Sequence, residues 1–147
     1  MGRGESDLRR VSQVIVLDNE ALQALGDPTH RKHRRVLSYT QVVADRKRRA
    51  SDVRLVVPTA VRVEAGWDRT SPLWALANRL RITDMVLDSV AANVAAAIRA
   101  STGVSVPDAH LGAVIRSAPA DHVTVLTSDP GDMRLVAGDG SVTIVNI

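Results

Sequence analysis

Apolar positions fall into two kinds of run along the chain. Val14-Ile15-Val16-Leu17, Leu55-Val56-Val57 and Val123-Thr124-Val125-Leu126 are short, largely unbroken and rich in β-branched residues, the pattern of strands buried on both faces. Two further short segments, Arg81 to Thr83 and Val142 to Val145, complete a set of about five. Between them the apolar positions are spaced for helices. Glu20 to Leu25 predicts a short helix ending at Gly26, with Asp27-Pro28 as a breaker. Residues 31–49 set Val36, Leu37, Val43 and Ala44 among charged positions, which predicts an amphipathic helix with an arginine-rich outer face. Pro58-Thr59 opens a helix from Ala60 to Trp67 with Thr59 as its cap, and Ser71-Pro72 opens one through Leu73, Leu76, Ala77 and Leu80. Asp88 to Ala100 is alanine-rich and ends at Gly103; Ser105-Val106-Pro107-Asp108 starts a helix that Pro119 stops; Asp129-Pro130 starts one that runs to Ala137. Strands alternating with helices predict an α/β fold with a parallel sheet covered on both faces. Residues 1–13 read as a polar leader and 14–147 as the domain.

Composition narrows the chemistry. With 147 residues, 45% of them hydrophobic, the chain suits one domain with a real core. It has no Cys, so disulfides, thiolate-bound zinc and a cysteine nucleophile are excluded. Its only aromatics are Tyr39, Trp67 and Trp74, too few for a base-stacking surface of the kind that reads single strands. No run approaches the ~20 apolar residues of a membrane span, and the N-terminus lacks a signal-peptide core, so a cytoplasmic protein away from membranes is expected. Phosphate-cradling glycine loops and a G-x-S-x-G elbow are absent, and Asp18-Asn19-Glu20 lacks the second aspartate of the aspartate-nucleophile phosphatases.

The net charge of +3 hides a separation. Residues 31–49 hold Arg31, Lys32, Arg34, Arg35, Arg46, Lys47, Arg48 and Arg49 against the single acid Asp45, a local +7 that leaves −4 for the rest of the chain. A solvated helix face accounts for such a stretch; so does a track for an RNA backbone along Arg46, Lys47, Arg48 and Arg49, or a surface for an acidic protein partner.

Carboxylates lie where an open α/β sheet gathers its ligands, beyond the carboxyl ends of the strands. Asp18 follows the first strand, Glu64 lies in the helix after the second, Asp108 in the first turn of its helix and Asp129 just past the fourth strand. Carboxylates brought within ~4 Å repel by about 4 kcal/mol per pair at an effective dielectric of ~20 unless a cation intervenes. An all-oxygen donor set selects a hard ion, Mg²⁺ or Mn²⁺, able to activate water and neutralise a phosphodiester in transit. Simpler roles compete at each position. Among thirteen Asp, one after a strand is expected by chance; Asp129-Pro130 is also an N-cap followed by proline, and Asp108 an acid favouring a helix dipole. Glu64 is one of only three Glu and has little charged company. The four His read as surface or packing residues, with His110 turned away from the Asp108 side of its helix and Gly112 sharing it.

Taken together, Val14 to Asp18 with Ala21-Leu22, Val57 to Glu64, Pro107 to Ala113, and Val125 to Asp129 with Asp132-Met133 occur in the order and spacing of a PIN domain. From Val14 to Ile147 the chain resembles the small VapC-like ribonuclease toxins of type II toxin–antitoxin pairs. The resemblance implies a Rossmann-like central parallel sheet flanked by helices. It implies a Mg²⁺ or Mn²⁺ site lined by Asp18, Glu64, Asp108 and Asp129, with Asp18 and Asp108 as direct ligands. It also implies endonucleolytic cleavage of RNA, a cognate antitoxin and a homodimer. Thr127 and Ser128 match hydroxyl-bearing positions that orient water or a ligand carboxylate. Two positions strain the pattern. Glu20 stands where a small polar residue is usual, and either joins the site or points outward; Asp132 competes with Asp129 for the fourth place or closes a capping box with it. A PIN-like binding domain with little catalysis, its site disturbed by Glu20, and a PIN nuclease outside any toxin pair are the alternative readings.

Overall fold

Strands β1 (Val11–Leu17), β2 (Val53–Pro58), β3 (Ile82–Met85), β4 (Ala120–Thr127) and β5 (Thr143–Asn146) form one sheet in the order β3-β2-β1-β4-β5, every neighbouring pair parallel. The computed structural model describes residues 10–48 and 52–147, with backbone alone for 43–48. Helices α1 (Asn19–Gly26), α2 (His33–Arg48), α3 (Thr59–Ala65), α4 (Ala75–Arg79), α5 (Ser89–Thr102), α6 (Val106–Ser117) and α7 (Pro130–Ala137) supply the crossovers, with a 3-10 turn over Pro72–Trp74. This is the α/β architecture expected. The chain adds strands outward from β1 to β3, then returns to the other side of β1 for β4 and β5. Strand order therefore reverses between β1 and β4, and the crevice beyond their carboxyl ends is the topological switch point of an open α/β sheet.

The apolar runs read as strands are the centre of the core. Val14, Val16 and Leu17 of β1, Val56 and Val57 of β2 and Val125 and Leu126 of β4 are buried, closed over by Leu22 and Leu25 of α1, Ile98 of α5, Leu111 of α6 and Met133 of α7. Side-chain caps start several helices as expected: Asp88 accepts from Ala91 N–H, Ser105 from Asp108 N–H and Asp129 from Asp132 N–H.

Four expectations shift. The strand begins at Val11, so residues 11–13 belong to β1 and not to a leader; Val11 N–H donates to Pro119 and the N–H groups of Ser12 and Gln13 donate to Asp52. Polar Ser12 and Gln13 ended the apolar run without ending the strand. Residues 1–9 lie outside the described residues. Thr59 does not cap α3: its hydroxyl oxygen instead accepts from Leu87 N–H at 3.1 Å, tying the helix start to the segment after β3. That helix stops at Ala65 because Gly66, at φ 76°, takes the left-handed capping conformation and turns the chain away. Trp67 is thus beyond the helix, buried, with its Nε1–H donating to Asn78 and its ring stacked on Trp74 at 5.8 Å. The segment after Ser71 is a 3-10 turn followed by α4, not one continuous helix.

Candidate active site

Asp18 is the first residue past β1 and the N-cap of α1, only 7% exposed. Its Oδ1 accepts from Ala21 N–H at 2.9 Å and its Oδ2 from Ser128 N–H at 3.3 Å, while the Thr127 hydroxyl donates to the same carboxylate. Two main-chain donors and the Thr127 hydroxyl thus hold the carboxylate in place. Burial nonetheless pushes the Asp18 carboxyl above its ordinary range, outweighing those hydrogen bonds.

Thr127 joins two halves of the site. Fully buried at the end of β4, it donates to Asp18 and accepts from Asp129 N–H at 2.9 Å. Because Leu17 stands beside Leu126 in the β1–β4 register, the residues that follow, Asp18 and Thr127, come abreast. Ser128 contributes its backbone N–H, the side chain being exposed.

Asp108, half-buried in the first turn of α6, is where the field of the others is felt most. Its carboxyl is pushed up to about 6, first by burial, then by the charges of Asp132, Glu64, Asp18 and Asp129 in that order. Glu64 is raised by burial and by Asp18; Asp132 is raised by burial and by Asp129, with which its carboxyl hydrogen-bonds. Five carboxylates carried by the end of β1, α3, α6 and the start of α7 therefore share one electrostatic neighbourhood. Among the described residues no three ligand-type side chains stand close enough to form a ready-made metal cage.

Asp132 weighs on Asp108 more heavily than Asp129 does. The capping box, one of the two roles open to Asp132, does not close, since the Asp129 N–H that the Asp132 side chain would satisfy is taken by Thr127. Asp129 caps α7 through Asp132 N–H at 3.2 Å. Glu20 pairs with His30 at 2.9 Å, and its charge acts on Asp18 only as the smallest of the causes there. Asp84, another carboxylate of a strand end, is neutralised by Arg62 at 2.9 Å and Arg69 at 2.8 Å. His110 is buried, its Nδ1 accepting from Ala60 N–H at 3.3 Å, and burial lowers its proton affinity. Gly112 performs the close approach expected of it: a Cβ there would lie 2.8 Å from the Val136 Cβ and 2.9 Å from the Val136 carbonyl oxygen, so α7 sits directly on α6. Of the expected RNA track, Arg49 and the side chains of Arg46, Lys47 and Arg48 lie outside the described residues.

No protein-family model matches the sequence, and no curated protein does. Among solved structures, that of FitAB bound to an IR36 DNA fragment matches with a TM-score of 0.52 and 19% identity over 90% of this chain and 94% of that one. At that identity the likeness carries the fold alone, a five-stranded parallel sheet flanked by helices.

Proposed function

We propose that this chain is a metal-dependent endoribonuclease of the PIN type, the toxin of a toxin–antitoxin pair. One observation carries the reading: the carboxylates of Asp18, Glu64, Asp129 and Asp132 all act on Asp108 near the switch point of the sheet, with no Lys or Arg of the described residues among the charges acting on it. A fold gains nothing from unpaired carboxylates held together, so the cluster asks for a cation.

Asp18 and Asp108 would hold a Mg²⁺ or Mn²⁺ ion, with Glu64, Asp129 and Asp132 accepting from its waters; the ion would activate water and offset charge on the phosphodiester. Asp18 is suited to its part because its donors hold the carboxylate in one orientation at the strand end. Thr127 couples its position to that of Asp129. Asp108 keeps a proton near pH 6 until a cation replaces it.

Glu20 is paired with His30, which favours the catalytic reading over a PIN-like domain with a site disturbed by Glu20. RNA as substrate, an antitoxin and a homodimer follow from the sequence resemblance, and a neighbour captured on DNA as FitAB is in keeping with work in a DNA-bound assembly. No helix among the described residues is long and apolar enough to cross a membrane. The test is cleavage of single-stranded RNA by purified protein with Mg²⁺, with Mn²⁺ and with EDTA, beside Asp108→Asn. Metal-dependent cutting that the substitution abolishes supports the reading; equal cutting by both proteins discards the site. A short adjacent reading frame encoding a DNA-binding protein supports the toxin role.

A further inference from the structure

Beside the carboxylates, α3 and the start of α6 leave a groove of about 440 Å³, within the ~300–1,000 Å³ of pockets that seat small ligands. Ala60, Val63, Leu87, Val106 and Pro107 form its walls, and Glu64 is its one charged residue. Val63 is 82% exposed and Val106 45%; neither serves the core. Since the groove shares Glu64 with the carboxylate cluster and Pro107 directly precedes Asp108, the two are continuous.

We propose that this groove seats the nucleobase next to the scissile phosphate of an RNA strand, an inference that rests on the ribonuclease reading above. With a carboxylate and no cation among the described residues of its lining, the groove repels phosphate and must take another part of the strand. The flat apolar face of a base fits aliphatic walls, and every base has such a face. Aromatic platforms are not on offer at this place, because Trp67 is buried and stacked on Trp74. The rim supplies both polarities a base edge needs. Glu64 accepts from an N–H, and Thr59, whose hydroxyl oxygen accepts from Leu87 N–H, retains an O–H to donate to a carbonyl. A purely apolar peptide would use the walls and leave that rim unanswered.

The test compares wild type and Val63→Ser on a single-stranded RNA of randomised sequence, with unfolding midpoints measured alongside. Val63 is largely exposed, so the midpoint should hold. The substitution should lower kcat/KM about tenfold, chiefly through KM, and flatten the preference for one nucleotide beside the cut. In parallel, ¹³C-methyl spectra are recorded while a non-cleavable 2′-O-methyl oligoribonucleotide is added, and the Val63, Leu87 and Val106 methyls should shift together. If RNA is cut but Val63→Ser keeps wild-type KM and preference and the methyls stay still, the base seat is wrong and the ribonuclease reading survives. If the methyls shift and no RNA is cut under any metal, the seat stands as an RNA-binding feature and the ribonuclease reading falls. Methyls that respond only to an apolar peptide overturn the seat in favour of a protein partner.

Discussion

Replacing Asp108 by Asn should stabilise the metal-free protein, although it removes the group on which the proposed activity most depends. In the folded chain the Asp108 carboxyl binds its proton with a pKa of about 6 against an ordinary 3.8. A raised folded-state pKa means that the folded form holds the proton more tightly than the unfolded form does. Stability is therefore lost as pH rises from about 4 through 6, and the full penalty is present above that window. At 1.36 kcal/mol for each tenfold change in proton affinity, the upper figure is about 3 kcal/mol. Asp108 is partly open to water, and screening brings the expectation to about 1–2 kcal/mol. Asparagine keeps the shape and discards the charge. Urea unfolding in EDTA should show Asp108→Asn more stable than wild type by that amount at pH 8, with the gap closing by pH 4. A variant no more stable at pH 8, or equally favoured at both pH values, would refute the electrostatic account of the cluster.

Three further outcomes follow. Adding Mg²⁺ or Mn²⁺ at pH 8 should raise the unfolding midpoint of wild type, the gain in unfolding free energy being about 2.7 kcal/mol at a hundredfold excess over Kd and smaller at pH 5 where protons compete; calorimetry or thermal melts with and without EDTA check it. Thr127→Val keeps the shape of the side chain but leaves Asp129 N–H without its acceptor and Asp18 without one donor, so urea unfolding should show a loss of about 1–3 kcal/mol and metal binding should weaken. Gly112→Ala places a methyl 2.8–2.9 Å from Val136 atoms, one of them a backbone oxygen that cannot swing aside; the expected loss is about 1–3 kcal/mol. As α7 is displaced with Asp132, an NMR titration should find the Asp108 pKa falling toward its ordinary value.

Much of the fold was legible because the central strands are buried on both faces and so appear as unbroken apolar runs, Val14 to Leu17 and Val123 to Leu126 above all. Boundaries were legible where a cap has a chemical signature, as at Asp88, Ser105 and Asp129. They were missed where backbone pairing outran apolarity. Ser12 and Gln13 are held in β1 by main-chain bonds to Asp52, which no hydrophobic pattern announces. Thr59 carried every local mark of a cap, but a tertiary partner 28 residues away, Leu87 N–H, claimed its hydroxyl oxygen.

The same competition for donors explains which part of the site could not be read. The positions of Asp18, Glu64, Asp108 and Asp129 follow from strand ends and helix starts, and the structure brings all four into one neighbourhood. The spacing of Asp129 and Asp132 leaves Asp132 either as a rival to Asp129 for the fourth place or as its capping-box partner, with Asp129 preferred for its alignment with Thr127 and the strand end. What separates them is the Asp129 N–H. A capping box requires that donor for the Asp132 carboxylate, whereas Thr127, two residues back at the end of β4, accepts it at 2.9 Å while donating to Asp18. With that bond spent on the sheet side, the Asp132 carboxyl meets the Asp129 carboxyl instead, and its charge is the strongest of those acting on Asp108. Asp18 and Asp129 are thus tied together through one buried hydroxyl, whose importance lies in its register beside Asp18 and not in any motif spacing.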